Sequence, residues 1–312
     1  ATVLVQSSSV STSVIVGLVA SSVVGIDDAV PMIMGANIGT TVTNILASLG
    51  YLRRGDDFRR AFAAATVHDF FNLLAVAVLL PVELLTGYLS EVAGWITDLV
   101  IGTSGASFKS PLKAAVKMPA GWVKDLLSEL GTQGDLKGAL MIVIGLVFIF
   151  LALAFVTKNM RLLVADRVEA AINRTLGAGS GLVAIVLGMI ITVAVQSSSI
   201  TTSVLVPLAA AGVLSLENVY PVTLGANVGT TVTALLASLA TGSPAAVTVA
   251  LVHTLFNLTG IALFYPVRSL RALPIRLATG LARISAERRT WAITYVLVMF
   301  LVIPLLGVMI LR

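Results

Sequence analysis

Gln6-Ser7-Ser8-Ser9 returns as Gln196-Ser197-Ser198-Ser199, and Gly35-Ala36-Asn37-Ile38-Gly39-Thr40-Thr41 returns as Gly225-Ala226-Asn227-Val228-Gly229-Thr230-Thr231, both at an offset of 190 residues. Positions 6–49 aligned with 196–239 are identical at 24 of 44 sites, and the matches gather in small polar residues rather than in Leu or Val. Shared greasiness alone does not repeat polar residues. Around these copies the chain is 57% hydrophobic and only 11% charged, with a mean hydropathy of +1.02, whereas soluble domains carry about 25% charged residues. The chain reads as an integral membrane protein built from two repeats, an arrangement that forms substrate sites where the repeats meet.

Apolar stretches near 29–50, 61–82, 138–157, 180–195, 219–241, 245–266 and 290–311 each approach the roughly 20 residues of a spanning helix. The arginines cluster at Arg53, Arg54, Arg59 and Arg60, at Arg161, Arg167 and Arg174, and at Arg268, Arg271, Arg276, Arg283, Arg288 and Arg289, with Arg312 last; such clusters mark the cytoplasmic side. The turn Thr241-Gly242-Ser243-Pro244 is uncharged, although it holds the place in the second repeat that Arg53 to Arg60 holds in the first. Matching loops therefore face opposite sides. An odd number of crossings then has to fit between Arg174 and Gly242. A hairpin rising along 180–195, turning at Gln196 to Ser199 and returning along 200–212, followed by one crossing at 219–241, satisfies this. Non-helical backbone at membrane depth is tolerated where it is buried in protein or lines a cavity.

The expected fold is thus all-α integral membrane, with inverted-topology repeats, each holding a re-entrant hairpin and a discontinuous transmembrane helix. Repeat one covers 1–82. An external connecting loop with short surface helices covers 83–137, rich in Gly and Ser around Gly102 to Ser107. Repeat two covers 138–266, a cytoplasmic basic segment 267–289, and a C-terminal transmembrane helix 290–312. The first Gln-Ser-Ser-Ser follows Ala1 to Val5 directly, whereas the second follows a full apolar helix. Counterparts of 138–157 and of most of 180–195 are therefore expected to precede Ala1 in the full-length protein.

Gln-Ser-Ser-Ser brings hydroxyls and an amide to membrane depth. The amides that open the following half-helix add partial positive charge suited to an anion. Two such turns, Gln6, Ser7, Ser8 and Ser9 with Gln196, Ser197, Ser198 and Ser199, could cradle one tetrahedral oxyanion. The plainer alternative is interhelical hydrogen bonding, which has no need of a run repeated at one offset. The spacing Gly-x-x-x-Gly, taken alone, marks close helix packing. Here each copy encloses an Asn and leads into Thr-Thr-Val-Thr, which favours a helix break whose carbonyls and threonine hydroxyls bind a hard cation. Asn37, Thr40, Thr43, Asn227, Thr230 and Thr233 are its candidates. His68-Asp69-Phe70-Phe71-Asn72 is echoed at an offset of 185 by His253-Thr254-Leu255-Phe256-Asn257, so Asp69 and Asn72 add a carboxylate and an amide in repeat one. The histidines read as helix-to-helix ties.

Other classes fit poorly. With no cysteine there is no thiol chemistry or disulfide framework. The net charge of +5 reports orientation in a membrane chain, and no basic-aromatic interleaving suggests nucleic acid. A serine hydrolase lacks its Gly-x-Ser-x-Gly elbow, and duplicated serines do not make one activated nucleophile. Two distant histidines have no zinc-ligand spacing.

In these motifs the chain resembles the type II sodium-dependent phosphate cotransporters, whose hallmark is a pair of inverted repeats each carrying Gln-Ser-Ser-Ser. The likeness is specific in Met34-Gly35-Ala36-Asn37-Ile38-Gly39-Thr40, in Phe58-Arg59-Arg60-Ala61-Phe62-Ala63, in Ala65-Thr66-Val67-His68-Asp69-Phe70-Phe71-Asn72 and in Tyr220-Pro221-Val222-Thr223-Leu224-Gly225. It implies sodium-driven uptake of inorganic phosphate by a multi-pass plasma-membrane protein, with Na+ as the coupling ion and no cofactor. By motif match Ser8, Ser9, Ser198 and Ser199 would ligate phosphate. Gln6, Gln196, Asn37, Asn227, Thr40, Thr230 and Thr233 would shape sodium sites, and Asp69 would mark the electrogenic branch. The short loop at 83–137 suggests a bacterial member, at home in the inner membrane. The alternatives are a sodium-coupled carrier of sulfate, arsenate or a dicarboxylate, and a non-transporting helical scaffold.

Overall fold

Glycine decides how closely two helices approach, and one seam built on it sets the centre of this protein. In the computed structural model, which describes residues 2–101, 111–145, 147, 148, 151 and 181–310, every described secondary-structure element is helical. The order is α1 (Thr2–Val5), α2 (Ser8–Ala20), α3 (Ile26–Gly39), α4 (Val42–Leu49), α5 (Gly55–Thr86), α6 (Tyr88–Ile101) and α7 (Pro111–Glu129). Then come α8 (134–145), α9 (Gly181–Val195), α10 (Ser198–Ala210), α11 (Leu216–Thr241), α12 (Pro244–Phe264) and α13 (Arg268–Glu287). The last elements are α14 (Thr290–Leu297), a π-helical turn (Val298–Val302) and α15 (Ile303–Ile310).

Along α11, Gly225 and Gly229 leave no side chain between that helix and α9. A Cβ at Gly225 would lie 1.9 Å from the Ile185 carbonyl oxygen, and one at Gly188 of α9 would lie 2.2 Å from that of Val222. At Gly229 it would meet Thr192 Cβ at 2.6 Å. The same contact recurs 190 residues earlier: a Cβ at Gly39 would meet Thr2 Cβ at 2.7 Å. Thus α1 seats on the end of α3 as the last turn of α9 seats on α11.

Four helical stretches are long and apolar enough to cross a membrane: Ile26–Leu49, Gly55–Thr86, Leu216–Thr241 and Pro244–Phe264. They coincide with the expected spans at 29–50, 61–82, 219–241 and 245–266. Shorter apolar helices cover Ser8–Ala20, Gly181–Val195, Ser198–Ala210 and Thr290–Leu305. Part of the expected helix at 138–157, including 152–157, lies outside the described residues, as do the basic cluster Arg161 to Arg174, Gly102 to Ser107 and Arg312.

Related positions fill separate cores. Val16 lies in a cluster with Ile15, Ile33, Ala246 and Ala250. Its counterpart Val206 lies in another cluster with Ile45, Phe58, Ala61 and Ala65, and Ala61 and Ala65 are the 185-offset counterparts of Ala246 and Ala250. In each cluster a repeat supplies one partner to the other: α10 packs on α4 and α5, while α2 packs on α11 and α12. A third, larger cluster around Phe71, Tyr220, Phe256 and Phe264 joins the two.

The segment after 82, expected as an external connecting loop with short surface helices, carries the helices α6 and α7, and α6 is packed into the protein. The helix α5 runs on to Thr86, Gly87 turns the chain with φ +63°, and α6 buries Leu89, Ala93 and Thr97, packing along α12. Glu83 makes this corner, its carboxylate accepting from the Leu89 amide at 2.6 Å and the Ser90 amide at 3.1 Å, where a helix start leaves amides unpaired. The basic segment 267–289 is likewise an ordered helix, α13, which buries Pro274, Ala278, Ala282 and Ser285 and packs on α5.

Candidate transport site

Each Gln-Ser-Ser-Ser run interrupts helical structure in the same way. Gln6 and Gln196 adopt φ of +54° and +56°, a left-handed conformation that costs a non-glycine residue on the order of 1–3 kcal/mol. Ser7 and Ser197 then cap α2 and α10, their Oγ atoms accepting from Val10 N at 3.3 Å and Ile200 N at 3.4 Å. The next serines open the helices. Ser8, Ser9 and Ser198 are each 3% exposed, yet among the described residues their hydroxyls have no hydrogen-bond partner; only the Ser8, Ser9 and Ser198 backbone carbonyls are engaged, by Thr12 and Thr202. Ser199 is half-buried. Gln196 Oε1 accepts from Thr233 Oγ1 at 2.9 Å, whereas Gln6 is exposed and its partner by repeat, Thr43, has a buried Oγ1 with no partner. No hydrogen bond joins the two Gln-Ser-Ser-Ser runs directly among the described residues. Both of their helices pack on α11.

The expected helix breaks differ between the copies. Between α3 and α4, the Thr40 amide bonds to the Asn37 carbonyl and the Thr41 amide to that of Ile38, a three-residue spacing in place of the helical four. Side chains take up the slack: Thr40 Oγ1 donates to Ala36 O at 3.0 Å, and Asn72 Nδ2 of α5 donates to Asn37 O at 3.0 Å. The second copy, expected to be broken too, runs unbroken through Leu216–Thr241. There the residue matching Asn72, Asn257, donates instead to His253 O of its own helix at 3.0 Å. Nothing then draws the Asn227 carbonyl outward, and Gly225 and Gly229 serve close packing.

The two asparagines of the repeated motif meet the opposite repeat. Asn227 Oδ1 accepts from His68 Nε2 at 2.6 Å, and Asn227 Nδ2 donates to Asn72 Oδ1 at 2.7 Å. His68 and Asn72 stand four apart on α5, on one helix face, so one amide bridges both. In the reverse direction Asn37 Oδ1 accepts from His253 Nε2 at 3.4 Å and Asn257 Nδ2 at 3.5 Å. Asn37, His68, Asn72, His253 and Asn257 are all buried, as is Asn227. Because an amide oxygen only accepts, both histidines carry their proton on Nε2. Their Nδ1 atoms, with Asn44 Oδ1 and Asn257 Oδ1, are buried without partners.

Asp69 points elsewhere. Its Oδ1 accepts from Thr41 Oγ1 at 2.9 Å, at the α3–α4 interruption, and its Oδ2 accepts from the Tyr295 hydroxyl of α14. Asp69 is 0% exposed, and no basic side chain pairs with it among the described residues. Thr230 folds back on Ala226 O at 3.1 Å. Sequence reasoning missed Tyr295, which has no counterpart in the repeated motifs, and Asn44, whose Nδ2 donates to Thr202 Oγ1 of α10 at 2.7 Å. Asn44 did leave a signal, since the second repeat has Ala234 in its place. Oxygen-rich sites of this kind suit hard cations, and the unpartnered hydroxyls at helix starts suit an anion.

A family model described as Na+/Pi-cotransporter matches residues 1–104 and 147–284. Among curated relatives, sodium-dependent phosphate transport protein 2B of Pongo abelii is 34% identical, over 97% of this chain and 56% of its own length. Sodium-dependent phosphate transport protein 2A of Rattus norvegicus is 36% identical over 97% and 58%, and that of Oryctolagus cuniculus 38% over 97% and 58%. The chain thus spans between half and two thirds of the length of these relatives. No solved structure matches it significantly.

Proposed function

This chain belongs to the Na+/Pi-cotransporter family, and from that premise we propose that it is a secondary active transporter taking up inorganic phosphate together with sodium. The observation that carries the reading is the set of partnerless hydroxyls on the almost fully buried Ser8, Ser9 and Ser198, at the starts of two short helices in an apolar chain. In this reading Ser7, Ser8 and Ser9 with Gln196, Ser197, Ser198 and Ser199 form the phosphate cradle. Gln6, though exposed, sets the left-handed turn that aims the first serines. Sodium is held by oxygens of Asn37, Thr40, Thr43, Asp69, Asn72, Asn227, Thr230 and Thr233.

Taking an ion into a protein interior costs several kcal/mol unless it is paired, so sodium and phosphate each favour the other's binding by one reciprocal coupling energy. The ties between Asn227 and His68, and between Asn37 and His253, support a site formed where two inverted repeats with re-entrant hairpins meet, opened to either side by alternating access. With Asp69 ionised, transport carries net positive charge inward across a bacterial inner membrane. An imposed sodium gradient across proteoliposomes tests this: labelled phosphate accumulates only with sodium outside, and accumulation indifferent to sodium would refute it. Competition by sulfate, arsenate and dicarboxylates then ranks the anion.

A further inference from the structure

We propose that Tyr295 is a positioning residue for cation binding, holding the Asp69 carboxylate through its hydroxyl. The proposal rests on the reading above in which Asp69 receives sodium. Tyr295 lies in α14, beyond the residues 1–104 and 147–284 that the family model matches, and neither repeat contains a counterpart.

Three observations converge on it. Asp69 is completely buried, and its two oxygens are held from two different elements: Oδ1 by Thr41 at the α3–α4 interruption, Oδ2 by Tyr295. The tyrosine ring is itself clamped by α5, edge-on to Phe62 with centroids 6.4 Å apart and tilted against Phe70 at 5.9 Å. The π-helical turn Val298–Val302 then follows one turn later; such turns are rare and often sit at functional sites.

The consequence is geometric. The terminal torsion of an aspartate is broad and roughly two-fold, so one hydrogen bond leaves its second oxygen poorly placed. A second donor on a clamped ring fixes the carboxylate plane and keeps Oδ1 on the Thr41 hydroxyl at the interruption. An ionised carboxylate accepts at about four lone-pair sites, so both hydroxyls leave room for a cation. Tyr295 thereby makes sodium affinity depend on where α14 sits against α5. A shift of α14 away from Phe62 and Phe70 would release the carboxylate and weaken the ion.

The test is a sodium titration of the full chain in detergent, read by thermal shift with choline replacing sodium, alongside uptake in proteoliposomes. Tyr295→Phe keeps the ring between Phe62 and Phe70 and removes the hydroxyl. The half-saturating sodium concentration should rise about tenfold, the scale of a hydrogen bond to a charged group, with the phosphate KM at saturating sodium unchanged. A residue that only packs would lower the melting temperature and leave half-saturation where it was, and that result overturns the proposal. Tyr295→His retains a ring and an N–H donor and should bind sodium more tightly than Tyr295→Leu; this pair decides should the Phe variant fail to fold, and equal affinities overturn the idea. Wild type that shifts with sodium but takes up no phosphate defeats the transport reading alone, while the comparison of variants still stands. Wild type without any sodium response defeats both.

Discussion

Asn227 commits its whole side chain to the other repeat, accepting from His68 and donating to Asn72. Asn227→Ala would leave two buried groups unpaired, at about 1–3 kcal/mol each, and should lower the thermal unfolding midpoint by several degrees. The serines are expected to behave in the opposite way. Their hydroxyls hold nothing within the protein, so Ser8→Ala combined with Ser198→Ala should leave the melting temperature within experimental error while phosphate uptake falls to background. Equal losses in both measurements would assign the serines to packing. Asp69→Gly removes the one buried carboxylate between Thr41 and Tyr295; currents recorded on sodium and phosphate addition should vanish or become electroneutral uptake. At this scale the sequence was readable wherever a residue occurs twice. Asn37, Asn227, His68 and His253 stood out by repetition, whereas Tyr295 and Asn44 occur once and make their contacts only after distant helices pack.

Helices reveal why one motif serves two ends. Gly-x-x-x-Gly was legible as special in both copies, but its neighbours decide its use: Asn72 draws on the Asn37 carbonyl and accompanies a tightened turn, while Asn257 bonds within its own helix and leaves α11 intact. The sequence could not tell these apart, since Asn72 and Asn257 are the same residue type in corresponding places. The glycine seam also makes a sharp prediction. Gly225→Val would drive a side chain into the Ile185 backbone 1.9 Å away, and backbone has little freedom to retreat. A loss of about 1–3 kcal/mol or more is expected from overpacking, seen as reduced folded yield and midpoint. Gly35→Val, at a position with nothing within 4 Å, should be far milder. The corner at Glu83 was hidden for a different reason: an acidic residue after an apolar run reads as the beginning of a loop, until its carboxylate is seen to cap α6.

Across the whole molecule the repeats are interleaved, each completing a core of the other. The duplication and the apolar spans were visible in the residue string; the interleaving was not, because it depends on which faces meet. Side chains bridge these borders repeatedly, and α6 joins them, with Thr248 Oγ1 donating to Thr97 Oγ1 at 2.9 Å and the Tyr88 hydroxyl 3.3 Å from Thr259 Oγ1. Since the chain has no native cysteine, cysteines at Tyr88 and Thr259 can be joined by a short bis-thiol reagent. Uptake should survive that link at near the unlinked rate, because α6 and α12 are expected to travel together; abolition on linking would mean that they slide.

Arg60 Nε reaches from α5 to the Ala210 carbonyl, 2.8 Å away at the last residue of α10. Near the other end, Thr202 is gripped by Asn44 and Thr201 by Thr192. A rod pinned at head and tail does not pivot by itself. The two ties therefore couple α4, α5 and α10 into a single rigid piece, in which none of the three turns without the others.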